Sequence, residues 1–491
     1  MKSFFTGKII LSLLVIIGCT NIAYNQKYDA NWVFGDSAGL KFLDGGVTQP
    51  FSSSIHSFES SASISDSLGN ILFYSDAISI WNSNNEIMEN GTELFSNLLS
   101  YEENTSCTQG SLILPIPGKM NEYYVFSLSP FNYGPGLSYA IVDINLNGGL
   151  GKVISKNNII LEGNLTEKMV AIKHGNGRDW WLILHELLTD KFFKFLITPD
   201  GIIEMNFQNI GSIYNFNAYS NIFGQLSVSE NGTKICAGSA NITDLFDFDR
   251  CSGELNNWIS FDPPLIEDYL AYASCFSETN KFLYLNIGFK WLYQLDVDPD
   301  SPDFGIWNLI YELDNTFEYK IGQLQMGPDK KIYAPISYVT SEEIYTSLNM
   351  NLSIINSPDF GGVSCNFDTA TINLGGFRAF AGLPNMPNYN LGALVASDCD
   401  TITTSIPEIS NINYFSISPN PARNEIYIKT NNFESDLFDI SIINPLGAQV
   451  IYKNGRQLNV PIDISKLQPG IYLVQLFQNN YLVGVEKLVV Y

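Results

Sequence analysis

A short hairpin pattern recurs along the chain at intervals of about fifty residues, and it limits the fold more than any other feature of the sequence. Each copy has an apolar strand, a turn rich in Ser, Gly, Asp or Asn, and a second strand that carries Tyr or another apolar residue. The clearest copies are SISDSLGNILFYSD (63–76), LSVSENGTKICAGS (226–239), SCFSETNKFLYLNI (274–287) and LQMGPDKKIYAPIS (324–337). Two looser copies lie at 112–129 and 171–186. The turns are centred on Gly69, Gly118, Gly177, Gly232, Asn280 and Asp329.

A second hairpin lies inside the intervals, at 137–154, 191–205, 244–258 and 291–307. Two hairpins in each repeat make four antiparallel strands, which is the composition of one propeller blade. Glycine in the turns supplies the positive φ that tight hairpin connections require. The pattern predicts an all-β chain: a seven-bladed β-propeller over residues 30–395, with six to eight blades left open, followed by a small C-terminal β-sandwich. An array of β-sandwiches or of immunoglobulin-like domains would show units nearer to a hundred residues.

The two ends of the predicted propeller are expected to meet in one blade. The segment Gly361 to Met386 would supply part of that blade, and the early strand Ala30 to Leu43 would complete it. Joining the first and last segments closes the ring and removes exposed sheet edges.

The charge of the chain argues against one class of partner. A net charge of −24 and the lack of any run of four Lys or Arg residues are unlike proteins that neutralise nucleic-acid phosphates. We therefore expect no nucleic-acid partner. The acidic balance leaves room for cation binding.

Residues 1–25 have the pattern of a signal peptide. Lys2 and Lys8 precede a short apolar segment, Ile9 to Ile17, which is too short to cross a membrane, and small and polar residues follow. We predict cleavage between Ala23 and Gln26, export, and no transmembrane segment after the signal is removed. The alternative is a lipid anchor on Cys19, because the preceding residues resemble a lipoprotein box.

Six cysteines remain if Cys19 is excluded, and an exported protein can pair them. Their spacing leaves the pairing open, with one or two disulfides about as probable as none, and it does not indicate a zinc site. They are Cys107, Cys236, Cys251, Cys275, Cys365 and Cys399.

One repeat is unusually polar, and we expect any functional site in the central funnel of the propeller to lie there. The residues are Glu167, Lys168, His174, Arg178, Asp179 and His185. The chain has three histidines and no GxSxG motif, so the sequence assigns no catalytic or cofactor-binding residue.

The segment DVDPDSPD contains four carboxylates at Asp296, Asp298, Asp300 and Asp303. Calcium prefers several oxygen ligands, which makes the segment a weak candidate for a calcium site. It departs from the EF-hand pattern because Ser301 stands at the sixth position and Trp307 at the twelfth. A solvated acidic turn is the simpler interpretation.

The body of the chain resembles a family of secreted bacterial propeller-like proteins. The resemblance rests on NWVFGDSAGLKF, SASISDSLGNILFYSDAISIWNSNNEIMENGTEL, TEKMVAIKHGNGRDWWLILHE, FDFDRCSGEL and GGFRAFAGLPNMPNY. It implies the fold and export, and it identifies no activity.

The end of the chain resembles the type A C-terminal sorting domain of type IX secretion. The resemblance rests on SPNPARNEIYIK, FDISIINPLGAQVIY, VPIDISKLQPGIYLVQLF and VGVEKLVVY, which occur in the order that the family shows. It implies a small β-sandwich at 414–491 that is recognised by the type IX translocon and removed by a sorting protease, after a linker at 396–413. The residues carried over as sorting signal are Ser418, Pro419, Asn420, Pro421, Gly470 and Tyr472.

Two functions of different class follow from the sequence. The first is a surface or secreted module that binds a glycan or a protein without catalysis. The second is a secreted hydrolase or lyase that acts on polysaccharide in the central funnel. The scarcity of histidine and the absence of a nucleophile motif favour the first.

Overall fold

The structure is a computed structural model, and it describes two compact units. They are residues Met1–Ile402 and Thr403–Tyr491. Strands hold 53% of the residues and helices 2%, which confirms the all-β prediction. Among the described residues, no helix is long and apolar enough to cross a membrane. The described residues are 26–95, 105–130, 134–204, 207–213, 221–239, 242–264, 271–314, 318–338, 344–400, 415–429, 437–444, 449–458, 460–478 and 481–491.

The strands of the first unit form seven antiparallel sheets within its described residues, and each sheet follows the previous one along the chain. Sheet 1 contains β1 (Asn31–Leu43) and β2 (Val47–Ser57), and sheet 2 contains β3 (Ala62–Ser65), β4 (Ile71–Ser75) and β5 (Ile80–Asn82). Sheet 3 contains β6 (Ser111–Pro115), β7 (Glu122–Leu128), β8 (Leu137–Asp143) and β9 (Lys152–Leu161). Sheet 4 contains β10 (Leu165–Lys173), β11 (Trp180–Glu186), β12 (Lys191–Thr198), β13 (Gly201–Glu204) and the short β14 (Gln208–Asn209).

The remaining three sheets repeat the same up-and-down order of strands. Sheet 5 contains β15 (Leu226–Val228), β16 (Lys234–Ser239), β17 (Ile242–Phe248) and β18 (Leu255–Phe261). Sheet 6 contains β19 (Ala271–Phe276), β20 (Phe282–Ile287), β21 (Trp291–Asp296) and β22 (Trp307–Glu312). Sheet 7 contains β23 (Tyr319–Ile321), β24 (Gln325–Met326), β25 (Ile332–Tyr338), β26 (Asn351–Ile355) and β27 (Phe367–Asn373).

The repeated turns predicted from the sequence are the hairpins between the first two strands of these sheets. In sheet 5 the N–H of Gly232 donates to the carbonyl of Ser229, and φ at Gly232 is +73°. In sheet 7 the equivalent residue is Lys330, with φ +64°, and not Asp329 as the sequence suggested. Lysine seldom adopts positive φ, so no local pattern marks this position.

Buried apolar side chains join the seven sheets in cyclic order. One cluster spans sheets 2, 3 and 4, and separate clusters join sheets 4 and 5, 5 and 6, and 6 and 7. Trp32 and Phe34 of sheet 1 pack against Tyr333 and Leu352 of sheet 7, while Val33 packs on the side of sheet 2. Because the last sheet packs on the first, the sheets form a closed, propeller-like ring.

The ends of the ring meet differently from the predicted composite blade. Strand β27 pairs with β26 and completes sheet 7, whereas β1 pairs with β2. The backbone link is the antiparallel bridge between Asp36 and Arg378, which lies just after β27. A sequence pattern shows which segments are strands, but the partner of a terminal strand depends on contacts between distant residues.

The residues that follow this link cross the interior of the ring. We call Leu383–Gly392 the crossing segment. The backbone N–H of Asn385 donates to the carbonyl of Ser61 in sheet 2 (2.8 Å), and its side-chain amide donates to the carbonyl of Met169 in sheet 4 (3.0 Å). The hydroxyl of Tyr389 donates to the carbonyl of Ile113 in sheet 3 (2.8 Å). One segment that contacts three sheets at their inner strands occupies the centre of the ring.

A disulfide between Cys251 and Cys399 holds the chain beyond the crossing segment. Cys251 lies in the β17–β18 turn, and the N–H of Leu394 also donates to the carbonyl of Gly175 in sheet 4. Residues 396–400 of the predicted linker are therefore attached to the first unit. The other four described cysteines are free and buried, and they are Cys107, Cys236, Cys275 and Cys365.

The second unit is a small β-sandwich, as the sequence predicted. One sheet contains β28 (Ser416–Ser418), β29 (Glu425–Lys429) and β32 (Ile462–Asp463). The other contains β30 (Leu437–Ile443), β31 (Gln449–Gln457), β33 (Gly470–Gln478) and β34 (Tyr481–Val490). Alternate residues of these strands, such as Ile426, Ile440 and Val474, form one buried apolar cluster.

We expect Gly382→Ala to destabilise the ring, because the new methyl group would lie 2.1 Å from the carbonyl oxygen of Glu59, on rigid backbone. The overpacking should lower the free energy of unfolding by about 3 kcal/mol, measured by urea denaturation of the full chain. The matched control is Gly392→Ala, whose methyl group has nothing within 4 Å and should change stability little. Equal stability of the two variants would contradict the close packing at Gly382.

Candidate functional site

The inner strands begin at one end of the ring, where backbone hydrogen bonds join each sheet to another. Gly382 donates to Phe58, and Gln323 donates to Ala381, so the chain just before the crossing segment is bonded on both sides. The other links of this kind are Glu59 to Thr105, Gln109 to Glu167, Glu167 to Ile222 and Gln225 to Tyr272.

Three glutamines strengthen these links with their side chains. The amide of Gln225 donates to the carbonyl of Leu324 (3.2 Å) and accepts from its N–H (3.0 Å). Gln109 makes the same pair of bonds with Leu226, and Gln323 accepts from the N–H of Leu383 (2.7 Å). We did not predict these residues, although the repeated Gly-Gln-Leu at 224–226 and 322–324 was a usable signal.

Two glutamates meet beside these glutamines in what we call the axial cluster: Glu59, Thr108, Glu167, Lys168 and Tyr272. The N–H and hydroxyl of Thr108 both lie within hydrogen-bonding distance of Oε2 of Glu167, at 2.8 and 3.0 Å. The same hydroxyl lies 3.4 Å from Oε2 of Glu59, and the hydroxyl of Tyr272 donates to Oε1 of Glu59 (2.9 Å). Of the predicted residues, Glu167 and Lys168 lie here, whereas Glu59, Thr108 and Tyr272 were missed.

The axial cluster favours one proton on Glu59. Burial, followed by the charge of Glu167, raises the pKa of Glu59 well above its usual value. The hydroxyl of Thr108 has one proton, which it donates to Glu167 at 3.0 Å rather than to Glu59 at 3.4 Å. A protonated Glu59 can then donate to the hydroxyl oxygen of Thr108. Glu167 is almost fully buried, whereas Glu59 keeps a partly exposed side chain.

Lys168 points its ammonium group at backbone carbonyls. Its Nζ donates to the carbonyl of Phe223 and lies 3.4 Å from that of Gly224. Burial lowers the pKa of Lys168 to about 7, while Glu167 opposes that shift. The ammonium group therefore stabilises the backbone just before β15 by hydrogen bonding.

Three of the predicted site residues lie at the other end of β10, away from the axial cluster. His174, Arg178 and Asp179 belong to the β10–β11 turn, seven residues beyond Glu167, a distance of about 23 Å along an extended strand. Arg178 and Asp179 form an ion pair (2.7 Å), and Nε2 of His174 lies 3.1 Å from the carbonyl oxygen of Cys251. The predicted single site is therefore divided between the two ends of the ring.

His185 is fully buried in β11, where its ring packs edge-on against Phe192. Burial, followed by the charge of Lys168, lowers the pKa of His185 to about 3. The imidazole is therefore neutral near pH 7, inside the sheet.

The acidic segment after β21 uses its carboxylates to cap its own turn. Asp296 accepts from the N–H of Asp298 (3.0 Å) and from the hydroxyl of Ser301 (2.7 Å), and Asp298 accepts from the N–H of Asp300 (3.1 Å). Within the described ranges, no three His, Cys, Asp or Glu side chains, including Asp303, are grouped closely enough to hold a metal ion. Calcium at this segment stays a prediction.

Three of the predicted sorting-signal residues, Asn420, Gly470 and Tyr472, contact the terminal strand of the second unit, β34. The side chain of Asn420 donates to the carbonyl of Lys487 (2.6 Å) and accepts from the N–H of Val489 (2.9 Å). Gly470 is paired with Val490, and Tyr472 with Leu488. Ser418 is paired with Tyr427, and the peptide bonds before Pro419 and Pro421 are cis.

Comparison with protein families identifies this second unit. Residues 416–491 match the secretion system C-terminal sorting domain family. The chain therefore carries a type IX sorting tail, is recognised by the type IX secretion machinery, and is secreted or displayed at the cell surface. This confirms the resemblance that the C-terminal motifs indicated. A search of curated proteins finds no match to the chain.

Three solved structures are among those similar to the chain. One is proposed to be a 6-phosphogluconolactonase from Bacteroides uniformis, with 11% identity over 70% of this chain and 92% of that chain and a TM-score of 0.42. The others are the Cps50 (Swd1) beta-propeller domain of Myceliophteria thermophila (12% identity, 64% and 97% covered, TM-score 0.36) and Citrobacter koseri AztD (12%, 72% and 88%, 0.34). The propeller-like description of this chain rests on its own sheets and their packing.

We expect Glu59→Gln to remove a pH dependence of stability. Because the folded-state pKa of Glu59 is raised, its contribution is fully present below about 4.5 and is lost as the pH rises towards about 8. The wild type should therefore lose about 2 kcal/mol of unfolding free energy relative to Glu59→Gln across this window, measured by urea denaturation at several pH values. Glu162→Gln, at an exposed position, is the control and should follow the wild type. Parallel curves for wild type and Glu59→Gln would contradict the assignment.

Asn420→Ala should weaken the attachment of the terminal strand, because it removes both side-chain hydrogen bonds to β34. The expected loss is about 1 kcal/mol of stability in the second unit, since the site is exposed. The measurement is the fraction of full-length protein exported, with the nearby exposed Asn424→Ala as control. If both variants are exported like the wild type, Asn420 has no special role in the tail.

Proposed function

We propose that this protein is a surface or secreted binding module, without catalytic activity, whose propeller presents its loops to a glycan or a protein. The observation that supports the proposal is the occupied centre of the ring. The crossing segment runs through the place where a substrate would enter and leaves a pocket of only about 80 Å³ beside it, and Glu167 and Lys168 are buried and bonded to the protein itself. Binding then takes place at the faces of the ring, where the loops differ in length and composition.

A specific observation also favours the alternative, a hydrolase or lyase acting on polysaccharide. Glu59 and Glu167 lie within reach of one hydroxyl, and Glu59 combines a raised pKa with partial exposure. A protonated and an ionised carboxyl group are the pair that glycoside cleavage uses. In this alternative Glu59 is the proton donor at the mouth of the ring.

The export route has further parts that we propose on sequence grounds. The signal peptide at 1–25 is cleaved between Ala23 and Gln26, with lipidation of Cys19 as the alternative; both positions lie outside the described residues. The sorting protease cuts after residue 400, because Cys399 is attached to the first unit by its disulfide. The released first unit then keeps the crossing segment.

Removal of residues 416–491 should abolish export. The truncated chain should accumulate in the periplasm, because the sorting tail is missing, whereas the full chain reaches the surface or the medium. Fractionation of cells that express each form measures the difference. Surface delivery of the truncated chain would overturn the proposed route.

The binding proposal is tested with the purified full chain on a panel of polysaccharides and peptides. We expect saturable binding to at least one of them, no release of products, and the same binding by Glu167→Gln. Glu162→Gln serves as the surface control. Product release that Glu59→Gln or Glu167→Gln abolishes, while Glu162→Gln retains it, would establish the hydrolase or lyase instead.

A further inference from the structure

A pocket lies where the crossing segment leaves the ring, at the end opposite to the axial cluster. Its volume is about 180 Å³. The walls come from residues 29–32, from the first hairpin turns of sheets 5 and 7, and from the crossing segment. The lining residues used below are Asp29, Trp32, Glu230, Met326, Lys330 and Asn388.

Asp29 supplies a carboxylate to this pocket. Among the described residues, no side chain donates a hydrogen bond to it, and its own backbone N–H is the donor nearby. Burial raises the pKa of Asp29 to about 6, which measures the cost of keeping this charge in the pocket without a close cation. A ligand that brings a positive charge would recover that cost.

The other charges of the pocket nearly cancel each other. Nζ of Lys330 lies 2.8 Å from Oε2 of Glu230, and the side-chain amide of Asn388 donates to the carbonyl of Glu230 (2.9 Å). Lys330 acts on Asp29 only at a distance, where it lowers the pKa of that carboxyl less than burial raises it. One negative charge, on Asp29, is therefore left in the pocket.

The apolar part of the wall is smaller than the polar part: Trp32 and Met326 are almost fully buried, and Met386 of the crossing segment is partly exposed. A cavity of about 150 Å³ holds a molecule of the size of benzene, so the pocket has room for a short aliphatic chain. The polar and apolar walls together match a ligand with a cationic head and an apolar stem.

We propose that this pocket binds a primary ammonium group on a short aliphatic chain, with the ammonium against Asp29 and the chain along the exposed part of Met386. A free alkylamine and a lysine side chain share this chemistry. The proposal does not rest on the binding of a glycan or protein by the loops. The site lies where the crossing segment leaves the ring, and its own residues define it.

The test is isothermal titration of the purified full chain with n-butylamine at pH 7.5. We expect saturable binding, no comparable binding of the neutral n-butanol, and at least a tenfold loss of affinity in Asp29→Asn. Asp300→Asn, which removes an exposed carboxylate elsewhere, should bind like the wild type. Nα-acetyl-lysine methylamide distinguishes the sources: binding as tight as that of butylamine identifies a peptide lysine, and much weaker binding identifies a free amine.

Lys330→Gln gives a second test, in which the affinity for butylamine is expected to rise rather than fall. Removing the cation that neutralises Glu230 leaves two carboxylates for the ligand, so the affinity for butylamine should rise several-fold. This variant carries the test if Asp29→Asn fails to fold. Equal binding of butylamine and butanol, unchanged affinity in Asp29→Asn, or weaker binding in Lys330→Gln would each overturn the proposal.

Discussion

The closure of the ring depends on the insertion of residues 378–382 between the first and last sheets. Each sheet packs only on its neighbours, so the joint that contains both ends decides whether the ring is closed. At this joint Asp36 is bridged to Arg378, and Gly382 donates to Phe58. The backbone of Glu59 lies so close to Gly382 that no side chain fits there. The crossing segment and the Cys251–Cys399 disulfide extend the joint to the far end of the ring.

This joint also determines what the centre of the ring can do. The crossing segment, which is bonded to sheets 2, 3 and 4, leaves little space for a large substrate. The polar groups around it form hydrogen bonds within the protein. The side-chain amides of Gln109, Gln225 and Gln323 form hydrogen bonds with the backbone of other segments. The ammonium group of Lys168 donates to backbone carbonyl groups. Glu59 holds a proton beside Glu167, because burial and the charge of Glu167 raise the pKa of Glu59. Sites for ligands are therefore expected at the faces, as in the pocket beside Asp29.

The sequence predicted local structure better than contacts between distant residues. Gly232 and Asn280 marked hairpin turns because few other residues adopt positive φ, whereas Lys330 adopts it against its preference and was missed. Glu167 and His174 are near in sequence, yet an extended strand places them at opposite ends of the ring. Glu59, Thr108 and Tyr272 meet only through the closure of the ring, which no local pattern shows. The sorting tail was found because its motifs occur in a fixed order.

Amide hydrogen exchange of the full chain is the most direct measurement of the central claim. If the crossing segment fills the ring, the amides of Asn385 and Leu394, which donate to Ser61 and Gly175, should exchange as slowly as those of the inner strands. Their protection should be lost only on unfolding of the first unit. Rapid exchange of both amides under native conditions, with the inner strands still protected, would contradict the account and leave the centre of the ring open to a substrate.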